Sequence, residues 1–247
     1  MATKTPYVAI FVGHGKSTDG SWDPGAVYGK YEEADLMLDI CKSAVKYLKI
    51  SGIKTLSDAE EDNNINAAEQ VRQANAKKVD IFVSLHADWY KDPSGTLPLY
   101  VSDSGKKIAK AINKAVMEDM DMPTRGLSLR KDLYELNATN MPACIFETGS
   151  LKADLADLRN ADDYGKAIAR GICNYFGVTF KEGDFKVKTK GKLIVRKTSA
   201  LTSVKTGTTK KGYIYTIVDT NKAGTRGKLK SGLGWITITD KYVSEVK

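Results

Sequence analysis

Apolar and polar positions change their period several times along this 247-residue chain. Tyr7–Val12 (YVAIFV) is a continuous apolar run of strand length, as expected of a strand covered on both faces. Between Glu33 and Ile50 apolar residues fall at Leu36, Met37, Ile40 and Ala44. Those steps of three and four line one side of a helix, and Gly52 stands just past its end. Ile53–Leu56 reads as a short strand, and Asn64–Lys77 has helical composition. Asp80–His86 and Leu97–Val101 read as strands, and Gly105–Met120 as a lysine-rich helix. Ala143–Glu147 (ACIFE) is another buried strand, followed by a helix across Ala153–Phe176. Alternation of this kind predicts an α/β fold whose mostly parallel sheet is flanked by helices.

After Gly177 the texture changes. Residues 179–190 (TFKEGDFKVKTK) are charged and lack a helical period, so they read as a linker or an incoming strand. From Gly191 onward come short β-rich pieces: KLIVRK, YIYTIVDT, RGKLK, GWITI and KYVSEV. Turns rich in Gly, Thr and Lys separate them, as in a small all-β barrel. A unit of about 60 residues is small but able to fold alone. The expected organisation is a first unit over 1–178, a linker over 179–190 and a second unit over 191–247.

Charge sharpens that division. Residues 1–178 carry 22 Lys and Arg against 25 Asp and Glu, a balance of −3, whereas residues 179–247 carry 16 against 5, a balance of +11. The net charge of +8 therefore resides in the last part of the chain and points to a polyanionic partner. Nucleic acid is not the expected one, because the larger part is net negative and no aromatic RNA-binding motif is present. No apolar run approaches the roughly 20 residues of a membrane span. The start of the chain lacks the apolar stretch and small-residue cleavage site of a secretory signal, so synthesis in the cytoplasm is expected. Three widely spaced cysteines suggest buried thiols rather than a disulfide framework.

The candidate chemistry lies at strand ends. The chain has two histidines, and both His14 and His86 stand where a buried strand finishes, as does Glu147. In open α/β sheets ligands gather outside the carboxyl ends of the strands. The glycines around His14 do not form a phosphate cradle, since GHGKSTDG matches neither GxxxxGK[ST] nor GxGxxG. Two neutral imidazoles suit zinc, and a catalytic site commonly adds one carboxylate and leaves a position open. Of the neighbouring Glu32 and Glu33, the first continues into the polar positions Asp35, Asp39 and Ser43. Glu33 opens the apolar stripe, where an unpaired carboxylate is costly unless a cation meets it. The candidate ligands are therefore His14, Glu33 and His86, with Glu147 as candidate general base. An ion pair of Glu147 with Arg125 or Arg130 is the alternative.

The run GHGKSTDGSWDPGAVYGKYEEADLML resembles the opening motif of the zinc-dependent N-acetylmuramoyl-L-alanine amidases of the type-3 family, found in autolysins and phage endolysins. The matching residues are His14, Asp23-Pro24-Gly25-Ala26 and Glu33, with Asp35 and Leu38 in register. Arg72 with Ala74-Asn75 and then Ser84-Leu85-His86-Ala87-Asp88 resembles the second ligand motif. Arg125-Gly126, Leu133, Pro142-Ala143 and Glu147-Thr148-Gly149 resemble the approach to the catalytic glutamate. The likeness spans about residues 7–177, with departures at Ala87-Asp88 and in the run Ser150-Leu151-Lys152-Ala153-Asp154 that follows Glu147. Residues 191–243 are similar to a bacterial SH3-like cell-wall-binding domain. The resemblance implies a six-stranded catalytic domain over 1–178, Zn2+ as cofactor, and peptidoglycan as substrate and partner. The bond cut would be the amide between N-acetylmuramic acid and L-alanine, reached by a phage-type lytic enzyme after release from the cytoplasm. The alternatives are a zinc carboxypeptidase, which would need an HxxE ligand pair that the sequence lacks, an endopeptidase acting on wall peptides, and a non-catalytic wall-binding protein.

Overall fold

A computed structural model describes residues 4–61, 63–89, 91–221 and 224–246. The apolar run Tyr7–Val12 is strand β1, and every residue of it after Tyr7 is buried. It is followed by α1 (Glu33–Ile50), β2 (Lys54–Leu56), α2 (Ala67–Lys77), β3 (Ile81–Asp88) and β4 (Leu97–Tyr100). Next come α3 (Asp103–Met120), β5 (Ser128–Leu129), α4 (Tyr134–Asn137), β6 (Ala143–Ser150), α5 (Leu155–Leu158) and α6 (Ala161–Phe176). The six strands form one sheet in the order β2-β1-β3-β6-β4-β5. The pairs β1–β2, β1–β3 and β3–β6 are parallel, while β4 runs antiparallel to β6.

The continuous apolar strands arise because both faces are covered. Val8, Ile10 and Val12 join α1, α3 and α6 in one core, through Met37, Ile40, Ile108, Ile112, Ile168 and Ile172. Ala9 and Phe11 point the other way, toward Val71 and Ala74 of α2 and Leu136 of α4. Capping places the helix starts. Asn66 accepts from the Glu69 amide and Ser102 from that of Gly105, so α2 begins at Ala67 and α3 at Asp103. The helix expected across Ala153–Phe176 is divided, because Asn160 leaves helical geometry at φ −85° and ψ 59°. Cys41, Cys144 and Cys173 are buried and free.

A second sheet follows, made of β7 (Phe185–Thr189), β8 (Ile194–Arg196), β9 (Lys205–Thr208), β10 (Ile214–Thr220), β11 (Arg226–Leu229), β12 (Trp235–Thr237) and β13 (Val243–Val246). Its order is β9-β8-β12-β11-β10-β7-β13, around a core that includes Val187, Val195, Ile217, Leu229 and Ile236. Of the two readings of 179–190, a linker or an incoming strand, Phe185–Thr189 takes the second: it is a strand between β10 and β13. Lys186 and Lys188 face outward while Val187 and Thr189 are buried, a period of two that the charges hid.

Candidate active site

The carboxyl edge of the main sheet gathers the candidate residues. The chain leaves β1 through Gly13, whose amide donates to the Leu85 carbonyl at 2.9 Å. A Cβ on Gly13 would lie 2.2 Å from Cε1 of His86, so only glycine lets the backbone pass this ring. His14 follows, with Nδ1 at 2.8 Å from Oδ2 of Asp23. Oδ1 of Asp23 accepts from the Gly25 amide at 3.0 Å. This contact orients the imidazole and leaves Nε2 toward the interior, 3.5 Å from Oε1 of Glu33. Glu33 is the first residue of α1 and is 2% exposed. Its Oε2 accepts from the Ala26 amide at 2.8 Å, and Oε1 accepts from the Ala87 amide at 2.9 Å. Oε1 also lies 3.1 Å from Nδ1 of His86, on β3. Glu32, by contrast, accepts from Nε1 of Trp22 on the exposed side.

One ligand atom from each of His14, Glu33 and His86 lies within 4.8 Å of the others. Two imidazoles and a buried carboxylate form the donor set of a His2Glu zinc site. Burial opposes the charge on Glu33, yet His86 and His14 hold its carboxyl below the ordinary range. The residues fit a divalent cation, which would meet carboxylates that are otherwise costly to bury.

Sequence reasoning missed a third carboxylate. Glu135, on the single turn of α4, is buried, and its Oε2 lies 3.6 Å from Nε2 of His86. Nε2 of His86 and Oε1 of Glu135 have no hydrogen-bond partner among the described residues. Burial disfavours a charged His86, but Glu135 and Glu33 outweigh it and hold the ring well above its ordinary pKa. One helical turn is too short for periodicity to show that Glu135 faces inward.

Glu147 lies on β6, in register with His86 on the adjacent β3. Burial pushes its carboxyl up to about 8; His86 and Arg125 work against the shift, and Asp88 and Glu33 add to it. Neither alternative arginine partner reaches it. Arg125 hydrogen-bonds to Asp88 and to the Gly95 carbonyl, and Arg130 pairs with Asp132 at 2.7 Å. A carboxyl titrating near neutrality beside a metal-competent cluster is suited to take up and return a proton. A cleft of about 410 Å3 opens on the cluster, lined by His14, His86, Glu135, Lys16 and Asn66 among others.

Over residues 8–174 the chain matches the Amidase_3 family, described as N-acetylmuramoyl-L-alanine amidase. It is 27% identical over 183 residues to the uncharacterized protein YqiI of Bacillus subtilis (strain 168), covering 70% of this chain and 85% of YqiI. It is 26% identical over 186 residues to the N-acetylmuramoyl-L-alanine amidase LytC of the same organism, covering 70% of this chain but 37% of LytC. Among solved structures, the fold is similar to that of the N-acetylmuramoyl-L-alanine amidase AmiC2 of Nostoc punctiforme. That likeness has a TM-score of 0.62 and 26% identity, and covers 71% of this chain and 99% of AmiC2.

Proposed function

We propose, from the premise that this chain belongs to the N-acetylmuramoyl-L-alanine amidase family Amidase_3, that it is a zinc-dependent peptidoglycan hydrolase. The bond cut is the amide joining N-acetylmuramic acid to the L-alanine of the stem peptide. The observation that carries this reading is the convergence of His14, Glu33 and His86, with Glu147 in register on the next strand. His14, Glu33 and His86 would hold the ion, which when bound supplies Lewis acidity toward the amide carbonyl and acidifies water.

The protein's own groups supply the rest. Asp23 fixes the ring orientation of His14, and the Ala26 and Ala87 amides fix both oxygens of Glu33. Glu147 accepts the proton of the attacking water at its carboxylate and delivers it to the departing alanine nitrogen. In the metal-free protein burial raises its pKa above the ordinary carboxylate range, which favours its return of the proton after taking it up. The β7–β13 unit is read as an SH3-like wall-binding domain, supported by its antiparallel sheet and the +11 balance of residues 179–247. Tethering to an anionic wall raises the local concentration of cleavable bonds. The pairing of a hydrolase with such a unit supports the role of a phage-type endolysin.

Mass spectrometry of digested peptidoglycan tests the reading. The wild type is expected to release stem peptides with a free L-alanine amino end from intact glycan strands, and Glu147→Ala is expected to release none. New reducing-end sugars, or cleavage only within the peptide, would reject it.

A further inference from the structure

The outward face of the second sheet carries a charge arrangement that the amidase reaction does not use. Strands β8, β12 and β11 are neighbours, with Arg196 opposite Trp235, Lys228 opposite Trp235 and Arg226 opposite Thr237. Alternate residues of a strand point to opposite faces. Arg196, Trp235, Thr237, Arg226 and Lys228 therefore share one face, and Val195, Ile236 and Leu229 lie on the core side. A cleft of about 260 Å3 opens on the outward face, bounded by Lys192, Ile194, Arg196, Leu201, Arg226 and Tyr242.

Arg226 is only 4% exposed. It donates through Nη1 to Oγ1 of Thr237 at 2.9 Å and through Nη2 to the Trp235 carbonyl at 3.1 Å. Its buried Nε has no hydrogen-bond partner among the described residues. Arg196 donates through Nη1 to the Ser203 carbonyl at 2.6 Å. Neither guanidinium pairs with a carboxylate among the described residues, and none of the described residues lining the cleft is acidic. Burial, and then the neighbouring charge of Arg196, draw the pKa of Arg226 below its ordinary value. Buried charges are ordinarily paired, since an unpaired one forfeits its hydration without return. The chain instead sets a second cation beside the buried one. An anion from outside the chain would complete the arrangement.

We propose that this cleft binds the carboxylate of a short peptide ending in a small apolar residue. The planar guanidinium fork matches a carboxylate through paired N–H donors. The walls select the body that carries the charge: Ile194, Leu201 and Tyr242 are 46%, 67% and 38% exposed around the two arginines. Apolar surface of this kind suits a methyl-bearing residue better than the alcohols of a phosphodiester polymer. The assignment rests on the wall-binding reading only for its source, which there is a stem peptide of the same polymer. The ligand chemistry rests on the cleft.

The test uses the full chain, labelled with nitrogen-15, and follows the arginine Nε–H resonances by NMR. N-acetyl-alanyl-alanine with a free carboxylate is expected to shift the Arg226 and Arg196 signals saturably, and its carboxamide to leave them in place. Arg196→Gln is expected to weaken the carboxylate titration by roughly tenfold or more. Equal response to acid and amide, or no response to either, would overturn the proposal. So would saturable binding of inorganic phosphate without binding of the dipeptide, which would assign the cleft to phosphate. The comparison of acid and amide on the wild type needs no variant to fold. Because the titration involves neither metal nor wall, it is separate from the sacculus experiments that test the amidase and wall-binding readings.

Discussion

Glu135 is a buried and Glu147 a partly buried carboxylate near His86, and they differ in what they face. Glu135 looks at Nε2 of the ring, and Glu147, on the neighbouring strand, has no ion pair among the described residues. A carboxylate behind a metal-binding imidazole fixes its tautomer and raises its basicity. Glu135→Gln is therefore expected to weaken metal binding about 10- to 100-fold, read by competition with a chelator. An unchanged affinity would remove Glu135 from the site. Glu147 leads to a pH prediction for the metal-free protein. Its carboxyl rises from an ordinary 4.5 to about 8 on folding. Between those values the folded state binds more protons than the unfolded chain, so stability is lost as pH rises through that window. Below it both states are protonated and the contribution is constant. Denaturant titrations of metal-free wild type are expected to show falling stability from about pH 5 to 8, with a flatter dependence in Glu147→Gln. Parallel profiles would contradict the burial argument.

At the scale of elements, the site depends on how the chain passes from β1 to α1. Gly25 has φ +67°, and a Cβ there would lie 2.5 Å from Oε2 of Glu33 and 2.7 Å from Cδ2 of His14. The turn therefore presses backbone against two candidate ligands, which a side chain would displace. Gly25→Ala is expected to cost about 1–2 kcal/mol of stability from the left-handed backbone alone. It should also abolish stoichiometric metal uptake, measured by metal analysis after dialysis; full uptake would show that the turn can yield. Asp58 secures the other side of this edge. It accepts from the Val12 amide at 3.3 Å, the Ile65 amide at 3.1 Å and Nε2 of Gln70 at 3.0 Å. One buried carboxylate thus ties the end of β1 to the approach and body of α2.

Across the whole molecule, the excess positive charge and the candidate catalytic groups occupy different parts of the chain. The carboxylates around His86 lie in the first part, and the excess of +11 lies beyond residue 178. The two parts touch at the carboxyl end of α1. There the Lys49 carbonyl accepts from Oγ1 of Thr220 at 2.7 Å, and Oγ of Ser51 accepts from the Lys181 amide at 3.1 Å. If the cationic unit holds an anionic wall, attachment must weaken as salt screens it. The Debye length falls from about 8 Å at 0.15 M to about 3 Å at 1 M. Retention of the chain on purified sacculi is expected to drop steeply over that range. Salt-independent retention would leave shape and apolar contact as its basis.

The sequence by itself determined the α/β alternation of the first part and the change of texture after Gly177. Runs such as YVAIFV and ACIFE carry their own burial in their composition. It also singled out His14, Glu33, His86 and Glu147, because two histidines at strand ends and one inward glutamate on a helical stripe are visible locally. Only tertiary structure set β4 antiparallel to β6, since a strand's direction depends on the route of the chain between strands. Only it brought Glu135 to His86 and Arg226 to Arg196. Those contacts join residues from separate elements, and no period along the chain records which side chains will meet in space.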